Sequence, residues 1–238
     1  MITALKGNEI ILANEVKERE EFKCIECKQK AIFVDAIFKI KHFRHFITSN
    51  CEPEPETEQH LNMKKFFIEN LNLKRENIEV PLGFARPDLY LQCKKIAIEV
   101  QHSNLNYQKF IERTKNYTKN DIAVLWIFDS VFLKTDVIGV VLKKAHELYF
   151  GRVYVFKENN IYPVHFKTTG RIVSIYYDDP ETPYEERFGS YYKNYKRKKL
   201  FDFGEKITNF NFKIQRNTWK GNNFLIASFL DKPWWKND

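Results

Sequence analysis

The sequence lacks a long hydrophobic run. Across its 238 residues the longest uninterrupted apolar stretch is Ile122 to Phe128, whereas a helix that crosses a bilayer needs about 20 such residues. Residues 1–12 also lack the apolar segment of a secretory signal. These absences argue against membrane-spanning and secreted proteins. We therefore expect a soluble, cytoplasmic protein with no membrane partner.

Cysteine is scarce as well, with four residues in the chain. In a cytoplasmic protein so few cysteines argue against a disulfide framework and favour metal ligands or buried thiols. Internal repeats and sustained low-complexity tracts are absent too. Hydrophobic residues make up 43% of the sequence and aromatic residues 16%, which is enough for a packed core and argues against global disorder.

Acidic residues are in deficit. The chain has 39 Lys and Arg against 31 Asp and Glu, a formal net charge of +8. This excess favours a polyanionic partner, of which nucleic acid is the commonest. We therefore expect a nucleic acid as the partner.

Three regions follow one another along the chain. Residues 1–52 contain short β-like runs around a Cys-x2-Cys pair, and residues 131–238 are rich in Tyr, Phe and Lys. The middle region predicts two helices and four strands, with helices near residues 56–71 and 105–117 and strands near residues 78–82, 88–93, 96–101 and 123–128. This α-β-β-β-α-β order predicts a compact α/β unit whose last strand is returned by a crossover helix.

Two acidic residues interrupt the predicted β-structure of the middle region. If residues 88–101 form a hairpin, Asp88 and Glu99 lie roughly opposite each other, and Gln101 shares a face with Glu99. Carboxylates so close repel each other unless a proton or a cation intervenes. Mg²⁺ binds through one or two carboxylates, so the pair predicts a site for a divalent cation that could polarise a phosphoryl oxygen and lower the pKa of a bound water. The structural alternative is two ion pairs, of Asp88 with Arg86 and of Glu99 with a lysine.

The amino-terminal region carries a second candidate metal site. Cys24, Cys27, His42 and His45 follow the spacing Cys-x2-Cys-x14-His-x2-His, and two thiolates with two imidazoles satisfy a tetrahedral zinc ion. Cys51 is an alternative to one of the histidines. We expect a structural zinc that orders a small lobe, and we expect this lobe to contact DNA. The alternative is buried thiols beside solvent-facing histidines.

A basic and aromatic stretch lies in the third region. Its lysines and arginine alternate with tyrosines: Tyr191, Tyr192, Lys193, Tyr195, Lys196, Arg197, Lys198 and Lys199. Because stacking of a base on an aromatic ring contributes ~1–3 kcal/mol on single strands, this composition predicts contact with DNA, with Lys196, Arg197 and Lys198 as binding residues. The alternative is a solvated helix face or a mobile loop.

The motifs of about residues 20–130, including the His-Phe-Arg-His of residues 42–45, together resemble a known nuclease family. The run Pro87-Asp88-x10-Glu99-Val100-Gln101 resembles the PD-(D/E)xK signature, with glutamine in place of the usual lysine. The wider pattern is similar to the CoiA-like competence nucleases, in which a Glu-x-x-x-His…Lys helix precedes an Arg-Pro-Asp strand and a Glu-x-Gln-x-Ser strand. The matching residues are Glu56, His60, Lys64, Arg86, Pro87, Asp88, Glu99, Gln101 and Ser103, followed by Arg113, Thr114 and Tyr117 on the next helix and Trp126 on the next strand.

The resemblance implies an architecture. The fold class is α/β, with a restriction-endonuclease-like PD-(D/E)xK core over residues 53–130. A zinc-ribbon-like lobe would precede it at residues 1–52, and an α+β extension of unknown role would follow at residues 131–238.

The resemblance also implies an activity, the hydrolysis of DNA phosphodiester bonds with Mg²⁺ or Mn²⁺. The setting would be natural competence or recombination of incoming DNA, with competence or recombination proteins as partners. Asp88 and Glu99 would be the metal ligands, and Gln101 would take the place of the lysine. The alternatives are a catalytically inactive, zinc-containing DNA-binding module and a restriction or defence endonuclease.

The first predicted helix adds residues to this site. Glu56 and His60 are i, i+4 neighbours and share a helix face, so we assign both to catalysis with the hairpin residues. Lys64, one turn further along, and Arg86 are expected to contact DNA phosphates.

Overall fold

The computed structural model describes residues 1–18, 20–35, 40–46, 57–134, 138–166, 201–208, 212–217 and 223–231. In the first three of these ranges, here called the amino-terminal lobe, five strands form an antiparallel sheet in the order β2-β1-β3-β4-β5. The strands are β1 (Thr3–Lys6), β2 (Glu9–Leu12), β3 (Phe22–Lys23), β4 (Lys30–Val34) and β5 (His42–His45). A small core centred on Phe22 and Phe43 holds this lobe together.

The remaining described residues build a larger sheet with helices packed on it. The helices are α1 (Glu58–Leu71), α2 (Tyr107–Lys119) and α3 (Val140–Leu148). The strands are β6 (Leu89–Leu91), β7 (Ile96–Gln101), β8 (Ala123–Asp129), β9 (Val153–Lys157), β10 (Asn160–Phe166), β11 (Phe201–Phe203), β12 (Ile214–Asn217) and β13 (Ile226–Phe229). The predicted α/β class is confirmed.

Strands β7 and β8 form the centre of the large sheet. They run parallel in register from Ile96 opposite Ala123 to Gln101 opposite Phe128, and every residue of both strands is buried. Because parallel strands need a long connection, α2 crosses over between them. Strand β6 pairs antiparallel with β7. The hairpin and the crossover that the sequence predicts are therefore present.

The prediction of a strand at residues 78–82 is wrong. Within it only Ile78 pairs, through an isolated bridge to Leu89. Glu79 has a left-handed backbone with a φ of 49°, and this conformation interrupts an extended strand. The hydrogen bonds of its side chain, given below, explain why the chain adopts it.

The carboxyl-terminal region contributes to the same sheet. Strand β9 pairs parallel with β8 at residues 127–129, while β13 pairs parallel with β8 at Val124. Rings of α1 also pack on this part of the sheet, with Phe66 against Phe156 and Phe67 against Phe229. These late strands therefore hold the helix that carries His60 and Lys64. Residues 191–199, the predicted basic stretch, lie outside the described residues.

The helices in the described parts of the chain are too short or too polar to cross a bilayer.

His146 makes the stability of the fold sensitive to acid. At the end of α3 its Nε2 accepts the Phe166 backbone N–H at 3.1 Å and lies 3.2 Å from His165 Nδ1. Burial, and then the charge of His165, lower the pKa of His146 from 6.5 to about 4. The unfolded chain binds a proton that the folded protein resists, so stability falls as the pH drops through this interval.

We predict that His146→Gln, which keeps an acceptor, flattens the decline of the melting temperature between pH 6.5 and 4. Thermal denaturation followed by circular dichroism measures this slope. Glu147→Gln, an exposed change on the same helix, should keep the wild-type slope. Identical slopes for wild type and His146→Gln would contradict the assignment.

Candidate functional site

The hairpin β6–β7 brings two carboxylates together. Asp88 and Glu99 occupy the next opposing positions beyond the pair Leu89 and Ile98, and directly opposed residues of an antiparallel ladder point to the same face. The Val100 backbone N–H donates to Asp88 Oδ2 at 2.9 Å, which fixes the Asp88 side chain against β7. The two acids therefore lie side by side.

Helix α1 supplies the cationic groups around Asp88. Thr57 caps the helix, its Oγ1 accepting the His60 backbone N–H at 3.2 Å, and such a cap fixes where the helix begins. His60 and Lys64 then share one face. His60 Nε2 lies 3.4 Å from Asp88 Oδ1, and Lys64 Nζ lies 2.8 Å from the same oxygen. Burial alone would raise the pKa of Asp88, but Lys64 and His60 hold it well below its usual range.

Helix α2 supplies the partners of Glu99. Arg113 Nη2 donates to Glu99 Oε1 at 2.6 Å, and the Tyr117 hydroxyl donates to the same oxygen. Because Arg113 and Tyr117 are four residues apart, both reach the sheet from one helix face. Burial raises the pKa of Glu99 to about 7, an effect that Arg113 opposes and the charge of Asp88 reinforces.

The partners that the structural alternative names are not the ones observed. Asp88 contacts Lys64 and His60, and Glu99 contacts Arg113 and Tyr117. Ion pairing is present, yet it gathers both acids and their partners into one cluster.

Gln101 lies beside this cluster and is buried. Its Nε2 donates to the Ser103 carbonyl oxygen at 2.8 Å and to Ser103 Oγ at 3.3 Å. The amide carries no charge, so the site does not gain a cation from this position.

A cleft of about 330 Å³ opens over the cluster. His60, Lys64, Asp88 and Gln101 line it, together with the basic side chains Arg86, Lys109 and Arg113. One wall comes from the amino-terminal lobe, where Glu26 Oε1 lies 3.4 Å from Arg86 Nε. The cleft thus lies between the lobe and the large sheet.

The residues predicted from the sequence divide into three groups. His60, Lys64, Arg86, Asp88 and Gln101 line the cleft. Glu99 is buried beneath it. The predicted site residues Glu56, Lys196, Arg197 and Lys198 lie outside the described residues.

We expected Lys64 to contact a DNA phosphate, but the structure places its side chain elsewhere. Its side chain is buried, and its ammonium contacts Asp88 and Glu79 at 2.8 Å and 2.7 Å. The helix face that carries Lys64 packs on the sheet, so the side chain reaches the floor of the cleft and not open solvent.

Four polar residues at or next to the site are not predicted by the sequence patterns: Glu79, His102, Asp129 and Gln59. Glu79 contacts Lys64, and a second cluster joins His102 Nδ1 to Asp129 Oδ2 at 3.5 Å and Gln59 Nε2 to the same oxygen at 2.6 Å. Glu79 and Asp129 are both buried. The available signal was a lone acid within or directly after an apolar run, the same signal that drew attention to Glu99.

The amino-terminal lobe brings together a Cys₂His group. The donor atoms of Cys24, Cys27 and His45 all lie within 4.8 Å of one another, and Cys27 Sγ is 3.3 Å from His45 Nε2. Thiolate and imidazole ligands in this arrangement suit zinc. The cysteines lie in a tight turn between β3 and β4, and β5 carries the histidine to them.

His42 does not join this group. Its Nδ1 lies 2.8 Å from the Ile40 carbonyl oxygen. His42 and His45 are three residues apart on a strand, and alternate residues of a strand point to opposite faces. A His-x2-His spacing would place both ligands together on a helix, but the sequence forms β5 here. Cys51, the alternative fourth ligand, lies outside the described residues.

Residues 56–171 match the protein family described as Competence protein CoiA, nuclease-like domain. Over these residues the chain is similar to the CoiA-like competence proteins, as the motifs of the sequence indicate. The CoiA-like match extends from α1 to β10 and contains Asp88, Glu99 and their partners on α1 and α2. No curated protein and no solved structure matches the chain.

Substitution of Tyr117 tests whether its hydroxyl stabilises the buried carboxylate of Glu99. Tyr117→Phe leaves the buried carboxylate with one donor fewer, so we predict a loss of about 1–3 kcal/mol in the free energy of unfolding. Urea denaturation measures it, with Tyr107→Phe on the exposed side of the same helix as the control. An unchanged free energy for Tyr117→Phe would show that the hydroxyl does not support Glu99.

The two histidines of β5 test the metal site next to the CoiA-like domain. We predict that His45→Ala lowers the zinc content of the purified protein, whereas His42→Ala retains it, because only His45 faces the cysteines. Mass spectrometry of bound metal, and the thiolate-to-metal absorption band after Co²⁺ substitution, measure the difference. Zinc loss on His42→Ala with retention on His45→Ala would contradict this arrangement.

Proposed function

We propose that this chain is a Mg²⁺- or Mn²⁺-dependent deoxyribonuclease that hydrolyses phosphodiester bonds in the cleft at Asp88 and Glu99. The observation that carries the proposal is the opposed pair of carboxylates beside a basic cleft within a nuclease-like domain. The hairpin, the crossover helix and the parallel strand agree with a PD-(D/E)xK core, in which the same elements present the acidic residues.

The side chains present fit a divalent cation by donor type. Carboxylate oxygens are the ligands that Mg²⁺ and Mn²⁺ prefer, and Asp88 and Glu99 provide them from neighbouring positions. Such an ion, when bound, polarises a phosphoryl oxygen and lowers the pKa of a coordinated water. We assign Asp88 and Glu99 as the residues that would hold it.

The surrounding side chains have separate roles in the proposal. Arg113, Lys109 and Arg86 line the cleft and bind the phosphates on either side of the scissile bond, since guanidinium and ammonium groups pair with phosphate oxygens. Lys64 adds positive charge next to Asp88. His60, within 3.4 Å of Asp88, orients that carboxylate and is placed to transfer a proton.

DNA is proposed as the substrate because of the net charge of +8 and the basic lining of the cleft. The family supports a setting in natural competence or recombination of incoming DNA in the cytoplasm, with proteins of those processes as partners. A structural zinc on Cys24, Cys27 and His45 would order the lobe that forms one wall of the cleft.

A catalytically inactive DNA-binding module is the second candidate. Its support is that Gln101 is hydrogen-bonded to Ser103, while Lys64 and Arg113 already neutralise the two carboxylates. Such a site would bind a phosphate backbone without cleaving it. A restriction or defence endonuclease would use the same chemistry with sequence specificity.

A cleavage assay separates these candidates. With Mn²⁺ or Mg²⁺ and single- or double-stranded, linear or circular DNA, we predict that Asp88→Asn and Glu99→Gln each lower the rate by at least about a hundredfold. Binding to DNA in EDTA should survive in both variants. Asp121→Asn, an exposed acid paired with Lys95 and Arg216, is the matched control and should cleave like the wild type.

Undiminished cleavage by both variants would place the chemistry elsewhere. Salt-sensitive binding without cleavage on any DNA form would favour the binding module, and discrete fragments would favour a restriction-type enzyme.

A further inference from the structure

Glu79 is a buried carboxylate at the floor of the cleft. It is 2% exposed, and an unpaired charge so deep costs several kcal/mol. Three donors at the start of strand β1 satisfy it: the backbone N–H groups of Ile2, just before the strand, at 2.9 Å and of Thr3 at 3.0 Å, and the Thr3 hydroxyl. The left-handed backbone of Glu79 turns its side chain toward this strand. The local conformation therefore serves a contact with the amino-terminal lobe.

The same carboxylate also holds the ammonium of Lys64. Lys64 Nζ donates to Glu79 Oε1 at 2.7 Å and lies 2.8 Å from Asp88 Oδ1. A lysine side chain has a flexible four-carbon stem, so one carboxylate alone would leave the ammonium free to move around it. Two carboxylates restrict the ammonium to the space between them.

The position of this ammonium matters because strand β7 supplies no lysine to the site. Gln101 stands where the PD-(D/E)xK signature has its lysine, and its amide is hydrogen-bonded to Ser103. Positive charge in contact with Asp88 comes instead from α1, through Lys64.

We propose that Glu79 is a positioning residue of the nuclease site, which fixes the Lys64 ammonium against Asp88 and is itself fixed by strand β1. This inference rests on the proposed function, because Asp88 is the centre at which cleavage is proposed. It makes the first three residues of the chain part of the framework of the site, although the CoiA-like match begins at residue 56. The amino-terminal lobe would then be required for full activity even without contacting DNA.

Glu79→Gln is the most informative variant. The amide retains an oxygen that accepts from β1 but removes the charge that holds Lys64, so the fold should survive while the ammonium gains freedom. Because a misplacement of about 1 Å can cost about a hundredfold in rate, we expect kcat to fall by about that factor. The affinity for DNA in EDTA should not change.

A direct readout of Lys64 accompanies the kinetics. In the wild type the ammonium is buried and bonded to two carboxylates, so its protons should exchange slowly enough to give a side-chain ¹H–¹⁵N signal, assigned by its absence in Lys64→Met. We expect Glu79→Gln to weaken or abolish this signal. In the double variant Lys64→Met/Glu79→Gln, the second change should add no further loss of kcat, because residues that act through one another are not additive.

Two controls separate positioning from general destabilisation. Glu76→Gln changes an exposed acid in the same connection and should alter neither readout. Asp231→Asn breaks a buried ion pair with Arg152 away from the cleft; it should lower stability while kcat and the Lys64 signal remain.

Wild-type kcat in Glu79→Gln, or an unchanged Lys64 signal, would overturn the proposal while leaving the nuclease assignment intact. If the wild type cleaves no DNA, the proposed function fails, and the Lys64 signal alone decides whether Glu79 positions the ammonium.

Discussion

The ammonium of Lys64 joins three parts of the chain that are distant in sequence. It extends from α1 to Asp88 at the start of the hairpin and to Glu79 in the preceding connection, and Glu79 in turn binds the first strand of the amino-terminal lobe. Each contact compensates a buried charge that would otherwise oppose folding. The cleft, the lobe and the Asp88 carboxylate therefore depend on one small network, in which the loss of any member removes a contact that compensates the charge of its neighbours.

Glu99 shows the same principle on the opposite side of the site. Its partners Arg113 and Tyr117 come from the crossover helix, so the element that returns the chain to the parallel strand also neutralises the second acid. Trp126 of that strand is tied to the same helix, its Nε1 donating to Thr114 Oγ1 at 3.2 Å. Fold and site are thus specified by the same residues, which accounts for the Arg-Thr-x-x-Tyr and Trp positions of the family pattern in structural terms.

The sequence predicted the parts of this arrangement that follow from local periodicity. The hairpin placed Asp88 beside Glu99, and the apolar run near residues 123–128 predicted strand β8. The sequence did not predict the contacts between residues that are distant along the chain. Nothing near Glu79 indicates that residues 2 and 3 will bind its side chain, so the segment was predicted as a strand. The spacing of His42 and His45 suited a helix, whereas β-pairing with β4 placed them on opposite faces. Strands from residues 131–238 also join the large sheet, and no sequence motif predicted this.

The central claim is that Asp88 and Glu99 hold a divalent cation in the cleft. A crystal grown or soaked with Mn²⁺ tests it through the anomalous scattering of the ion. The account predicts a peak within coordination distance of both carboxylates, with Lys64 or Arg113 displaced from at least one oxygen. No peak there, with both cationic side chains still bonded to the acids at saturating Mn²⁺, would contradict it.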